Sequence, residues 1–360
     1  MKKYIRMLSL LVAILLLPLS AISCGRGGDG EVHVFYYSYS DTYISGVRSA
    51  LDKSLKSAGV SFQDHDGAGN QTTQTEQIQT AITGGAKAIV VNLVNTGSDD
   101  AAKSIVKLAR DADIPVIFFN REVSDGVVKS YDKCAFVGTD AKASGILQGQ
   151  MIGEYLVENF DAVDINKDGK ISYILFKGEE GNNEAIYRTQ YAVEEANKSL
   201  SAAGKPELVF YDKSNPNKYL VDRNGLWSAA AANEYMTTAL SSYSEDRGNM
   251  IELVICNNDG MAEGAVAALQ TAGYNLGAES SRQIPVFGID ATAAAVDLIG
   301  KGAMAGTVKQ DGTAMAEAIA RLVSNHGEGK ALSEGLDEYD VDENVFKIRI
   351  PYSQYLGEKK

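Results

Sequence analysis

The sequence predicts an α/β protein built as two lobes with parallel sheets, and two patterns carry that prediction. From residue 32 onward, short apolar, β-branched or aromatic runs alternate with amphipathic stretches of ten residues or more, the signature of βαβ units. Nine such runs exceed one comfortable domain, and 360 residues suffice for two cores of ordinary size.

In chain order the runs are VHVFYY, AIVVNLV, PVIFFN, AFVGTD, ISYILFKG, ELVFYD, IELVICNND, PVFGID and AGTVKQD. The helical period appears between them, for example over Ala101 to Ala112, Ala141 to Asn159, Glu184 to Ala203, Gly260 to Ala272 and Thr313 to Ser324. Most runs end in a polar residue: Asn120, Asp140, Asp259, Asp290 and Asp311 lie at or just past strand ends. Asp and Asn cap helices and start turns, so any one of them is ordinary. Several together favour a polar cleft, because ligands of parallel α/β sheets bind outside the carboxyl ends of the strands.

The first 23 residues, MKKYIRMLSLLVAILLLPLSAIS, read as a secretion signal. Lys2, Lys3 and Arg6 form its charged start, and the apolar run from Leu8 to Ile22 is too short for a convincing spanning helix. Small residues before Cys24 resemble the lipobox of bacterial lipoproteins, which implies lipidation of Cys24 and an exported chain tied to the cell membrane by lipid alone. Residues 24–30 are then the lipidated cysteine and a Gly-rich tether. Removal of residues 1–23 takes away three cations and no acid, moving the net charge from −13 to −16. So acidic a surface argues against nucleic acid and against direct binding to anionic lipid. Cys134 and Cys256 read as buried small residues, with a bridge between them as the alternative.

No catalytic signature is present: no Walker loop, no GxSxG elbow, no HExxH, and three scattered histidines, His33, His65 and His326. The stretch DINKDGKIS is different. Asp164, Asn166 and Asp168 alternate and Gly169 supplies a sharp turn, as in a calcium loop. The twelfth position, where such a loop closes with glutamate, is Leu175. A plain Asp/Asn-rich turn before a strand explains the same residues.

The segments FFNREVSDGVVKSYDKCAFVGTDAKASGILQGQMI, DINKDGKI, VICNNDGMAEGAVAAL and PVFGIDATAAAVDLI together resemble the periplasmic galactose/glucose-binding proteins, the sugar-capturing subunits of ATP-driven importers. The similarity runs in order from about residue 32 to about 356. It implies two Rossmann-like lobes joined by a three-segment hinge near Thr139, Gln310 and Arg349 (the type I periplasmic binding protein fold). One lobe would be residues 31–138 plus 312–349, the other 140–309 plus 350–360.

By the resemblance, Tyr43 and Trp227 are the aromatic walls that sandwich a hexose ring, whose C–H faces suit aromatic surfaces. On its own the single tryptophan is as well explained by core filling. Asp41, Asn120, Arg188, Asn258 and Asp290 match the family's hydroxyl-reading groups. Where the family commonly has histidine, aspartate and asparagine, this chain has Asn182, Glu184 and Gln310. These departures keep hydrogen-bonding ability and leave glucose, galactose or another sugar such as a pentose open. For the loop, the resemblance implies structural calcium held by side chains of Asp164, Asn166 and Asp168, the Lys170 carbonyl, and a closing Glu252 from a distant strand start. Ser172 stands where the family has a longer amide. The implied protein is a monomer without catalytic activity, whose partners are a monosaccharide and an ABC permease. A chemotaxis receptor is the alternative reader of the same closed shape.

Overall fold

The computed structural model describes residues 31–277 and 282–357. The signal segment, Cys24 and the tether lie outside the described residues.

The first lobe opens with β1 (Val32–Tyr36), α1 (Thr42–Ser57), β2 (Phe62–Asp66), α2 (Gln71–Thr83), β3 (Ala88–Val91), α3 (Asp100–Asp111), β4 (Val116–Phe119), α4 (Asp125–Val128) and β5 (Cys134–Gly138). The second holds α5 (Ala141–Val163), β6 (Ser172–Lys177), α6 (Asn183–Ala202), β7 (Val209–Phe210), β8 (Leu220–Val221), α7 (Ala229–Leu240), β9 (Leu253–Cys256), α8 (Asp259–Thr271), β10 (Val286–Asp290), α9 (Ala293–Gly300) and β11 (Gly306–Gln310). The chain then returns through α10 (Gly312–Gly327), β12 (Asp340–Asp342) and β13 (Lys347–Arg349) to the first sheet, and ends with β14 (Tyr352–Tyr355) in the second.

The first sheet runs β12-β13-β5-β4-β3-β1-β2 and the second β14-β11-β10-β9-β6-β7, with β8 beside β6. β1 to β5 in the first, and β6, β7, β9, β10 and β11 in the second, follow the doubly wound 2-1-3-4-5 order, all parallel. Only β12 and β14 pair antiparallel, each at an outer edge. Both faces of both sheets are covered: four apolar clusters flank them, among them Ile117, Phe119 and Ile319 on one side of the first sheet and Phe118, Ile89 and Ile105 on the other. This is why the strands read as unbroken apolar runs.

The polar β2, FQDHD, breaks that rule because it is an edge strand and half-buried, so its composition hides it from a hydrophobicity reading. Cys134 and Cys256 are free thiols, both buried among apolar side chains.

The chain passes between the sheets three times: after β5, after β11, and between β13 and β14. The first and third crossings are bonded to each other. Arg349 donates to the Thr139 carbonyl (2.8 Å), Ile350 N–H to the Gly138 carbonyl (2.8 Å), and the Thr139 and Tyr352 hydroxyls lie 2.6 Å apart.

Close packing of α5 on α6 sets the frame of the second lobe. Gly145, Gly149 and Gly153, one turn apart, bring α5 so near α6 that a Cβ on Gly149 would lie 2.6 Å from the Tyr191 carbonyl oxygen. A backbone oxygen cannot swing aside as a side-chain tip can. Gly149→Ala should therefore cost about 1–3 kcal/mol through overpacking, read as a lower midpoint in urea unfolding; an unchanged midpoint would show that the helices separate freely.

Candidate functional site

Strand ends of both sheets face one small cavity. Its lining comprises Asp41, Tyr43, Asn120, Asn182, Glu184, Arg188, Trp227, Asn258, Asp290 and Gln310, together with Tyr37, Ile44 and Arg121. All ten sugar-site residues named from the sequence thus share one enclosure. Its free volume is about 40 Å³, room for a few water molecules.

Local chemistry explains how each residue gets there. Asp41 caps α1 through Oδ1, accepting from Ile44 N–H (2.8 Å), while Oδ2 accepts from the Tyr37 hydroxyl (2.6 Å). Tyr43 sits one turn inside the cavity on α1, and its buried phenol oxygen has no hydrogen-bond partner among the described residues. Asn182 caps α6 by accepting from Ala185 N–H (3.0 Å) and donates across the cleft to Thr96 Oγ1 (3.2 Å). Asn258 caps α8 by accepting from Met261 N–H (2.9 Å) and donates to the Trp227 carbonyl (3.2 Å). Capping fixes the rotamers of Asp41, Asn182 and Asn258, so these three groups facing the cavity are held before any ligand arrives.

Three lining residues have left-handed backbone: Asn120 at φ 62°, Trp227 at 55° and Asp290 at 130°. Such conformations cost about 1–3 kcal/mol each for residues with side chains, and at Asn120 and Asp290 they lie where the strands end at the cleft. Trp227 lies flat on Gly178, where an added Cβ would fall 2.0 Å from the indole.

Arg188 is buried at 4% exposure. Its Nε donates to Ser144 Oγ (3.2 Å), one terminal nitrogen to the Asn257 carbonyl (2.8 Å), and the other to Gln310 Oε1 and the Tyr352 hydroxyl (3.2 Å each). Burial would lower its pKa, but neighbouring Tyr352 and Asp290 outweigh that and raise it, so it stays cationic. Burial pushes the Asp290 carboxyl well above the usual range, opposed by Arg188, and burial likewise raises Glu184. Glu184 Oε1 accepts from Glu122 N–H in the first lobe (2.9 Å). Its Oε2 and Gln310 Nε2 are buried without partners among the described residues.

Of the five strand-end polar residues, only Asn120 and Asp290 line the cavity. Asp140 and Asp311 are helix caps, and Asp259 accepts from Thr307 Oγ1 (2.6 Å) and Thr292 N–H (2.8 Å) beside the site. Sequence reading passed over Tyr37, Arg121, Glu179 and Tyr352. Arg121 directly follows Asn120, so the strand-end pattern could have found it; Tyr352 sits in a strand with no motif.

The metal-loop residues gather away from this cavity. Glu252 reaches over the loop, its Oε1 accepting from the Ile165 and Asn166 amides (2.7 and 3.1 Å) and its Oε2 from Ser172 N–H (3.0 Å). Asp164 accepts from the Asp168 and Gly169 amides (3.1 and 3.0 Å), and Asp168 from Lys170 N–H (3.0 Å). The Ser172 hydroxyl donates to the Met250 carbonyl. Burial raises the Glu252 pKa; backbone N–H donors oppose this and Asp164 adds to it. Among the described residues no three acid, His or Cys side chains converge as a ready metal cage.

Two hinged α/β lobes closing on a polar and aromatic cavity define a ligand-capturing binding protein. The chain belongs to the periplasmic binding protein family: the periplasmic binding protein domain matches residues 32–331. It is a binding protein and not an enzyme. It is 36% identical over 338 residues to the D-galactose/methyl-galactoside binding periplasmic protein MglB of Haemophilus influenzae, covering 93% of this chain and 92% of the relative. A putative rhizopine-binding protein of Rhizobium meliloti is 30% identical over 76% of each chain. Among solved structures, an ABC transporter solute binding protein from Bacillus halodurans with bound myo-inositol matches with TM-score 0.66 and 25% identity, covering 92% of this chain and 96% of that one. One from Clostridium phytofermentans with bound beta-D-glucose matches in fold, with TM-score 0.67 and 22% identity over 88% and 90%.

Proposed function

We propose that this chain is an exported protein that captures a monosaccharide, glucose- or galactose-like, and delivers it to an ABC importer. The observation that carries the reading is the shared cavity: Tyr43 and Trp227 line it together with amides, acids and Arg188 from both lobes. Sugar rings offer C–H faces to aromatic walls and hydroxyls to paired polar groups. The similarity to MglB over nearly the whole chain supports a hexose. A ligand docks on one lobe, hinge bending brings up the other, and the permease reads the closed monomer.

Calorimetry of the exported chain against D-galactose, D-glucose and a pentose panel tests this. Saturable binding to at least one sugar is expected, weakened at least tenfold by Trp227→Ala. Silence across the whole panel would overturn it.

Calcium at the 164–172 loop belongs to the same proposal. Asp164, Asn166, Asp168 and Glu252 are hard oxygen donors crowding one turn, and the mutual repulsion of Glu252 and Asp164 is what a divalent cation relieves. Binding requires the carboxylates to share or release backbone N–H donors, and the metal would brace the second lobe. Melting should then fall when EGTA replaces calcium, and Glu252→Gln should abolish the difference. Equal melting of the wild-type chain in both buffers counts against a metal.

The lipid anchor completes the reading. Cells fed an alkyne-tagged fatty acid should label the wild-type chain and not Cys24→Ala; labelling of both would remove Cys24 as the attachment point.

A further inference from the structure

The loop after β6 and the first turn of α6 make three bonds across the cleft. Two are neutral at one partner or both: Asn182 to Thr96, and the Glu122 amide to Glu184. The third joins Arg121 to Glu179 and is an ion pair that spans the cleft between the lobes.

Arg121 is committed to the first lobe before Glu179 reaches it. It follows β4 at 5% exposure, one guanidinium nitrogen donates to the Leu93 and Val94 carbonyls, and its carbon lies 4.4 Å from the centre of the Tyr37 ring. The other nitrogen donates to Glu179 Oε2. That same oxygen accepts from the Trp227 indole N–H at 3.4 Å. The indole is already pressed on Gly178, the residue before Glu179. Glu179 is therefore a hub between a cation of one lobe and the aromatic wall of the other.

We propose that Arg121 and Glu179 form a closure latch, and that latching fixes the edge of the Trp227 ring so that lobe closure and the aromatic wall are completed together. This inference rests on the reading of the cleft as one that opens and closes. Separation of the lobes strands Glu179 without its counter-charge, while Arg121 keeps its carbonyl partners. The charged contact thus favours the closed form alone. Both residues are positioning residues: they act through the wall and the hinge. Burial raises the Glu179 pKa against the pull of Arg121, in keeping with a carboxylate that depends on this partner.

The chain holds a single tryptophan, so its emission reports Trp227 alone. The experiment compares the wild-type exported chain with Arg121→Gln and Glu179→Gln; the latter removes charge but retains an acceptor for the indole. Without sugar, small-angle scattering should show a larger radius of gyration in both variants, and Trp227 emission should move to longer wavelength in both. With D-galactose and D-glucose as probes, stopped-flow dissociation should quicken about tenfold with little change in association rate. Unchanged scattering and emission in both variants overturns the latch. So does an effect of Arg121→Gln that Glu179→Gln does not share, because a structural loss at one side chain would not require the pair. If the wild type binds neither sugar, the sugar reading fails on its own, and scattering and emission still decide the latch.

Discussion

Arg188 brings a full positive charge into the second lobe, and much of that lobe is arranged to satisfy it. A buried charge stripped of partners costs several kcal/mol. Here its donors are spread over Ser144 on α5, the Asn257 carbonyl after β9, Gln310 at the end of β11 and Tyr352 on β14. One planar group thereby ties a helix, two central strands and the returning strand into a single floor. Tyr352 extends the tie to the hinge through the Thr139 hydroxyl. The Trp227 ring, 5.7 Å from the guanidinium carbon, stands beside the same charge. Floor, aromatic wall and hinge share one anchor.

Strained backbone is the second constraint, and it is held in place by neighbours. Asn120 keeps its left-handed conformation beside Asn92, whose amide donates to Asn120 Oδ1 (3.0 Å) and to the Phe119 carbonyl (3.2 Å). Asp290 and Ala291 make a strained turn, at φ 130° and 56°. Asp259 braces it by gripping Thr292 N–H and the Thr307 hydroxyl, and burial raises the Asp259 carboxyl to about 6. Polar residues at strand ends thus divide the labour: some face the cavity, and others hold the backbone that lets them do so.

This division explains what was legible in the sequence. The alternation of apolar runs and amphipathic stretches was enough for two parallel-sheet lobes, because strands buried on both faces leave an unbroken apolar signal. β2 escaped because an edge strand needs no such composition. At the site, the ten residues carried by family resemblance all reach the cavity, but composition alone marked Asp140, Asp259 and Asp311 no differently from Asp290. A cap and a cavity-lining acid look alike in one dimension; only the packing of the second sheet separates them. Glu179 and Tyr352 were hidden for another reason. Their partners lie across the cleft or across the hinge, at separations no local pattern encodes.

Glu184 and Gln310 are each only half satisfied by their neighbours among the described residues. Glu184 divides its two oxygens: one accepts from the Glu122 amide of the opposite lobe and the other has no partner among the described residues. Gln310 likewise gives its oxygen to Arg188, and its amide nitrogen has no partner among the described residues. The Tyr43 phenol adds a third such atom on the aromatic wall. A carboxyl oxygen, an amide N–H and a phenol are an acceptor, a donor and a group able to do both. A hydroxyl donates and accepts at once, so a polyhydroxylated ring is the chemistry that can pair all three. Each pairing spares the cost of an unsatisfied buried group, about 1–3 kcal/mol apiece. Because Glu184 also contacts the first lobe, a carboxyl with a free oxygen in the cavity belongs to the set that holds the lobes together.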